Sequence, residues 1–177
     1  MSVDLEGHGR DDFLDGVDLS RTVGWFTTVY PVALDVPPDA DWRTLVKSVR
    51  RQLRVIPGHG IGYGALRYLG SAAVRDRLRA SGPEPQVAFN YLGQWDTRPA
   101  RAHGGLYQGL HGSLGQDHDP ADRGPYLLEV VGAVQGGQLE FSFYYQPGVH
   151  HLATVQAVAQ DFTDALRRIA QDCEKTA

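Results

Sequence analysis

The chain is almost without sulfur: Cys173 is its single cysteine and Met1 its single methionine. No intrachain disulfide can form, so nothing points to an oxidising compartment. Long apolar runs are missing too. No stretch approaches the ~20 residues that a membrane-spanning helix needs, and Met1 to Arg10 is polar, without the apolar centre of a secretory leader. Basic charge is not in excess, since 17 Lys and Arg stand against 21 Asp and Glu for a net charge of -4. That balance gives no footprint for a nucleic-acid partner. His103, His111 and His118 lie eight and seven positions apart without a cysteine near them, which is not a metal-ligand spacing. The expectation is a cytoplasmic protein with no metal, membrane or nucleic-acid partner.

What is present suits a globular unit. The 177 residues are 42% hydrophobic and 21% charged, enough for one domain with its own core. No repeat or linker divides them, so residues 1–177 are read as a single unit. Met1-Ser2 runs straight into Val3-Asp4-Leu5-Glu6, as an excised piece would, although a short natural gene can begin the same way.

Periodicity places most elements. Residues 20–34 alternate, with Val23, Trp25, Thr27 and Val29 against Gly24, Phe26 and Thr28, which predicts a strand. Pro31 marks an edge position or a strand end. After Pro37-Pro38, Asp39 or Asp41 caps a helix whose apolar stripe is Trp42, Leu45, Val46, Val49, Leu53 and Ile56. Arg43, Lys47, Arg50, Arg51 and Arg54 fill its other positions, and Pro57-Gly58 ends it. Gly58 to Gly64 reads as a glycine-rich loop. Ser71 caps a short helix that Gly82 stops. Gln86 to Trp95 is a second strand, with Val87, Phe89 and Tyr91 on one face and Ala88, Asn90 and Leu92 on the other.

Residues 97–125 read as a long surface loop, with one short strand near Leu106 at most. Tyr126–Val134 and Gln138–Gln146 form a hairpin around Gly136-Gly137. A helix from His150 to Cys173 carries the stripe Leu152, Val155, Val158, Phe162, Leu166 and Ile169. Strands and helices mix without βαβ regularity, which predicts an α+β fold with a mixed or antiparallel sheet.

Four strings are more specific. They are Glu6-Gly7-His8-Gly9-Arg10; Arg21-Thr22-Val23-Gly24-Trp25-Phe26-Thr27 with Tyr30-Pro31-Val32; Pro57-Gly58-His59-Gly60-Ile61-Gly62-Tyr63-Gly64; and Phe89-Asn90-Tyr91-Leu92-Gly93-Gln94. In order and spacing they resemble the later motifs of epimerization domains of nonribosomal peptide synthetases: EGHGRE, RTVGWFT, PxxGxGYG and FNYLGQ. Asp11 stands where the first motif ends in Glu. The resemblance runs to the end of the chain but covers only the C-terminal half of such a domain. The first half carries HHxxxDG, which is absent here. His150-His151 does not supply it, because Leu152-Ala153-Thr154-Val155 follows; that pair reads as the entry to the last helix.

The resemblance implies one lobe of a chloramphenicol acetyltransferase-like fold, a mixed sheet flanked by helices. It implies inversion at the α-carbon of an aminoacyl or peptidyl thioester. The substrate would be held on the phosphopantetheine of a peptidyl carrier protein, with no cofactor bound by this chain itself. A base must take the α-proton and an acid must return it on the opposite face. Glu6 is the candidate for one of these groups, provided burial raises its pKa; the alternative is a carboxylate salt-bridged to Arg10. The second group, a histidine, would lie in the missing lobe, so the chain alone is not expected to be a complete enzyme.

Asn90 and Tyr91 are the other catalytic candidates, as donors toward an enolate oxygen. They alternate on a strand and cannot share a cleft unless it twists or bulges. A core aromatic is the alternative for Tyr91, and a ladder or turn role for Asn90. His8, Trp25, Gly62 and Tyr63 are candidates for lining the substrate site. Gly60 to Ala65 also fits GxGxxA, but a helix precedes it instead of a strand, which argues against a nucleotide loop. The basic stretch from Arg43 to Arg79 either meets a phosphate or an acidic carrier surface, or is a solvated helix face. The expected partners are a peptidyl carrier protein and the N-terminal lobe. A homodimer is another way to hide the face that the lobe would cover. A non-catalytic interaction module and a condensation-type acyltransferase fragment are the competing readings.

Overall fold

A computed structural model describes residues 1–10, 16–94 and 124–174. Its centre is a five-stranded mixed sheet in the order β2-β1-β3-β4-β5. β1 (Ser2–Gly7) pairs antiparallel with β2 (Thr28–Ala33) and parallel with β3 (Val87–Gln94). β3 runs parallel to β4 (Leu128–Gln135), which forms a hairpin with β5 (Gln138–Tyr145). The α+β class and the mixed sheet flanked by helices are as expected. Pro31 lies on β2, one of the two edge strands, where a missing N–H costs least.

The sheet has two unlike faces. Register places Val3, Leu5, Tyr30, Val32, Phe89, Val130, Gly132, Phe141 and Phe143 on one of them. The last helix, α4 (Leu152–Glu174), packs there. Phe162 meets Phe141 edge-on at 4.8 Å and Phe143 at 5.7 Å, and Phe89 lies 6.3 Å from Phe141. Such aromatic pairs contribute about 0.5–1.5 kcal/mol each beyond their burial. Gly132 makes room for this cluster: a Cβ there would lie 2.3 Å from the Phe141 ring. Val3, Val32 and Val130 on this face, with Val155 of α4, are the buried hydrophobic residues. No described side chain is fully buried. The opposite face carries Asp4, Glu6, Asn90, Glu129, Val131, Ser142 and Tyr144, and none of the buried residues.

The other helices follow the sequence. α1 (Trp42–Arg54) is capped by Asp41 and not Asp39: the Asp41 carboxylate accepts from Thr44 N at 2.9 Å. α3 (Ala72–Ala80) starts at Ser71, whose hydroxyl accepts from Val74 N.

Three expectations need correction. The strand expected over 20–34 begins only at Thr28, because the Arg10 guanidinium draws the carbonyls of Leu19, Thr22 and Gly24 into a loop (3.1, 2.9 and 3.3 Å). The glycine-rich stretch is not a loop throughout. Pro57–Gly60 forms a 3-10 turn and Gly62–Leu69 a helix, α2. Positive φ at Gly58, His59 and Gly60 makes the turn; the helix formers Ala65, Leu66, Arg67 and Leu69 then outweigh Gly62 and Gly64. Finally, β1 carries no clear strand signal, being short and one-third acidic. Trp95, Leu106, the three loop histidines and Asp11 lie outside the described residues.

Candidate active site

Sheet order converts sequence distance into proximity. β1 lies beside β3, with Asp4 opposite Ala88 and Leu5 opposite Phe89. One step on, Glu6 and Asn90 share the face opposite α4. Thr27 reaches the same place from the residue before β2, which pairs Glu6 with Val29. Glu129 of β4 stands on this face too, opposite Ala88.

The electrostatics follow from this placement. Glu6 is partly buried, and its carboxyl is held above its ordinary value. Burial is the largest cause and the negative charge of Glu129 the second, while the Thr27 and Asn90 side chains favour the charged form and oppose the shift. A carboxylate shifted this way is a better base than a solvated one. Asp4 is engaged differently. The Tyr126 hydroxyl donates to Asp4 Oδ2 at 2.8 Å, and burial, then that bond, pushes the phenol pKa upward.

A stability prediction follows, with its sign fixed by linkage. A carboxyl whose folded pKa is raised binds more protons folded than unfolded. Its contribution to stability is therefore present below the ordinary value of 4.5 and is lost as pH rises through the raised midpoint. Glu6→Gln removes this dependence while keeping the shape. In urea titrations, the variant should gain on the wild type as pH rises from about 4, and the gain should level off above the Glu6 midpoint.

The segment after Glu6 is shaped by Arg10. Gly9 has φ +61, and the chain turns so that Arg10 N donates to His8 Nδ1 at 3.0 Å. The Arg10 guanidinium, besides holding its three carbonyls, lies 4.5 Å from the Phe26 ring centroid. It is therefore committed to residues 19–26 rather than to Glu6, and the alternative of an Arg10–Glu6 salt bridge is not what forms.

The structure unites some of the candidates and separates others. Glu6 and Asn90 come together. Tyr91 does not join them: it points to the other face of β3, is half exposed, and precedes a bulge between Tyr91 and Gln94. His8 is exposed beside Glu6 in sequence, with Nδ1 occupied. Trp25 is 91% exposed on the loop that Arg10 holds. Gly62 and Tyr63 belong to the first turn of α2, where the Tyr63 hydroxyl accepts from Arg67 at 3.3 Å. Thr27 and Glu129 were missed. Thr27 closes the RTVGWFT string and was legible there; Glu129 depends on strand order, for which the sequence carried no signal. Among the described residues no cluster of three His, Cys, Asp or Glu side chains suits a metal ion. No described helix is long and apolar enough to cross a membrane.

Comparison with known proteins fits this picture. The condensation domain family matches residues 1–177. A protein of the linear gramicidin synthase of Brevibacillus parabrevis is 41% identical over 171 residues, 96% of this chain and 2% of that protein. Chondramide synthase cmdD of Chondromyces crocatus is 43% identical over 173 residues, 98% of this chain and 4% of that protein. The chain thus spans only a small part of the length of these curated relatives. The crystal structure of the epimerization domain from the third module of tyrocidine synthetase B superposes with a TM-score of 0.81 at 32% identity. That match covers 97% of this chain and 37% of the solved one.

Proposed function

The chain belongs to the condensation-domain family of nonribosomal peptide synthetases, and from that premise we propose that it is the C-terminal lobe of an epimerization domain. The reaction is inversion of the α-carbon of an aminoacyl or peptidyl thioester, from L to D. The observation that carries this reading is Glu6 on the sheet face opposite α4, raised in pKa and flanked by Asn90 and Thr27.

The chemistry is a proton exchange. One group removes the α-proton and its bonding pair moves into the thioester carbonyl, giving an enolate. A second group returns a proton to the opposite face of the same carbon, so nothing is oxidised or consumed. Glu6 serves as one of these groups, and Asn90 holds the Glu6 carboxylate toward the face. Proton transfer by a positioned side chain contributes about 10²–10⁴-fold. The second group comes from an N-terminal lobe that covers this face. The substrate enters on the phosphopantetheine arm of a peptidyl carrier protein. Resemblance of the four strings to the epimerization motifs, together with the tyrocidine synthetase neighbour, favours this chemistry over peptide-bond formation.

The test separates the two reactions by product. The chain, joined to the preceding lobe, is given a carrier protein loaded with an L-aminoacyl thioester, and a second carrier loaded with a different amino acid. Chiral chromatography of the released acids should show a mixture of L and D forms and no dipeptide. A dipeptide of unchanged configuration would contradict the proposal and make this lobe part of a condensation catalyst.

A further inference from the structure

The helix layer carries a feature that the Glu6 chemistry leaves unused. Along α1, Trp42, Val46, Val49 and Leu53 recur at helical spacing, and Arg43, Lys47, Arg50 and Arg54 repeat that spacing one residue on. One residue is about 100° of rotation, so an apolar stripe and a basic stripe run side by side. α1 has no acidic residue and no buried residue. Packing against α4 leaves Val46 44% exposed and Trp42, Val49 and Leu53 only partly buried. A cavity of about 520 Å³ is lined by Val46, Val49, Leu53 and Ile169 with Arg50 and Arg54. A second, of about 280 Å³, shares Val46 and Ile169 and continues to Trp42 and Cys173, with Arg43, Lys47 and Asp172 at its edge. The two make one groove between α1 and α4. It lies in the helix layer, on the other side of the sheet from Glu6.

We propose that this groove docks an acidic amphipathic helix of another polypeptide. Its apolar floor suits side chains spaced i, i+3, i+4 and i+7 on such a helix. The rim sets the charge of the partner: among the described residues Lys47, Arg50 and Arg54 form no ion pair. Opposite charge across the rim adds specificity and speeds association. A second copy of this chain fits poorly. Bringing two α1 helices together would oppose five positive charges with five more. Nucleic acid would satisfy the rim but leave the floor of Val46, Val49 and Leu53 without a partner. The 13 residues of α1 span about 20 Å, which sets the length of the docked helix at three to four turns or about 14 residues.

The test uses two fluorescent peptides of about 14 residues with equal numbers of glutamates. One carries leucines at the anchor positions and the other serines. Anisotropy with the full chain should show binding of the leucine peptide, at least about tenfold tighter than the serine peptide, or 1.4 kcal/mol. Val49→Ser should weaken it about tenfold, and so should the exposed double variant Lys47→Glu with Arg50→Glu, whose fold is checked by circular dichroism. Cys173 gives an independent readout. It is exposed and lines the groove, so bound peptide should slow its alkylation. Equal binding of the two peptides, unchanged binding by the variants, or unprotected Cys173 would overturn the proposal. A short DNA duplex that binds as tightly as the leucine peptide, and is lost only in the charge variant, would make the surface one for phosphates instead. A dimer in sedimentation that Val49→Ser abolishes would assign the groove to a second copy.

Discussion

Glu6→Gln, in the chain joined to its preceding lobe, is expected to slow α-proton exchange by about 10²–10⁴-fold while leaving carrier binding unchanged. Glutamine keeps the shape and can still meet Thr27 and Asn90, so the fold should persist. It cannot take a proton, and that is the property the reading assigns to this position. The pH profile should discriminate further. Burial and Glu129 hold the Glu6 carboxyl above 4.5, so the rising limb of the wild-type rate should fall at a pH above that value. Glu129→Gln removes the second cause of the shift and should move that limb toward lower pH without abolishing turnover. A variant rate within threefold of wild type, roughly 0.65 kcal/mol of barrier, would remove Glu6 from the chemistry.

Gly9→Ala should be the most damaging single methyl in the described part of the chain. Gly9 has φ +61, and a Cβ there would stand 1.6 Å from the Phe26 carbonyl oxygen and 2.7 Å from its carbon. Both obstacles are backbone, so no rotamer change relieves them. The left-handed conformation costs a non-glycine residue about 1–2 kcal/mol and overpacking another 1–3 kcal/mol, which gives about 2–5 kcal/mol in urea unfolding. The damage should also reach the site, because the segment that must move ends in Phe26 and Thr27. Gly16→Ala is the control: its φ is +78, but nothing lies within 4 Å of the added atom. It should cost only the backbone conformation. Similar losses in the two variants would mean that the Gly9 turn is not tightly packed against Phe26.

These two residues also mark what the sequence made legible. Gly9 and Glu6 lie in one short string, Glu6-Gly7-His8-Gly9-Arg10, whose carboxylate was legible as a candidate base, whereas the turn at Gly9 shows only in the backbone. Asn90 was legible as a strand residue facing away from Phe89, and the parallel pairing of β1 with β3 made that facing useful. That pairing joins residues more than 80 positions apart, which no local periodicity encodes. Glu129 was invisible for the same reason. The strand expected over 20–34 forms only from Thr28, because alternation of Val23, Trp25 and Thr27 is local, whereas the Arg10 side chain that bends this segment comes from ten or more positions away. The apolar stripe of α1 faces α4 as periodicity suggests, with Trp42, Leu45, Val49 and Leu53 partly buried, but the cover is incomplete: Val46 remains 44% exposed. Periodicity reports that a face is apolar; it does not say which molecule covers it.

The central claim is that Glu6 exchanges the α-proton of a carrier-bound thioester once a second lobe completes the site. The most direct measurement is deuterium uptake at the α-carbon in deuterated water. An L-aminoacyl carrier protein is mixed with the chain alone, then with the chain and a separately made N-terminal lobe, then with Glu6→Gln versions of both. Uptake that needs both lobes and disappears in Glu6→Gln is the predicted result. Uptake that persists in Glu6→Gln, or no uptake in any mixture despite measurable carrier binding, would contradict it and leave the chain an interaction module.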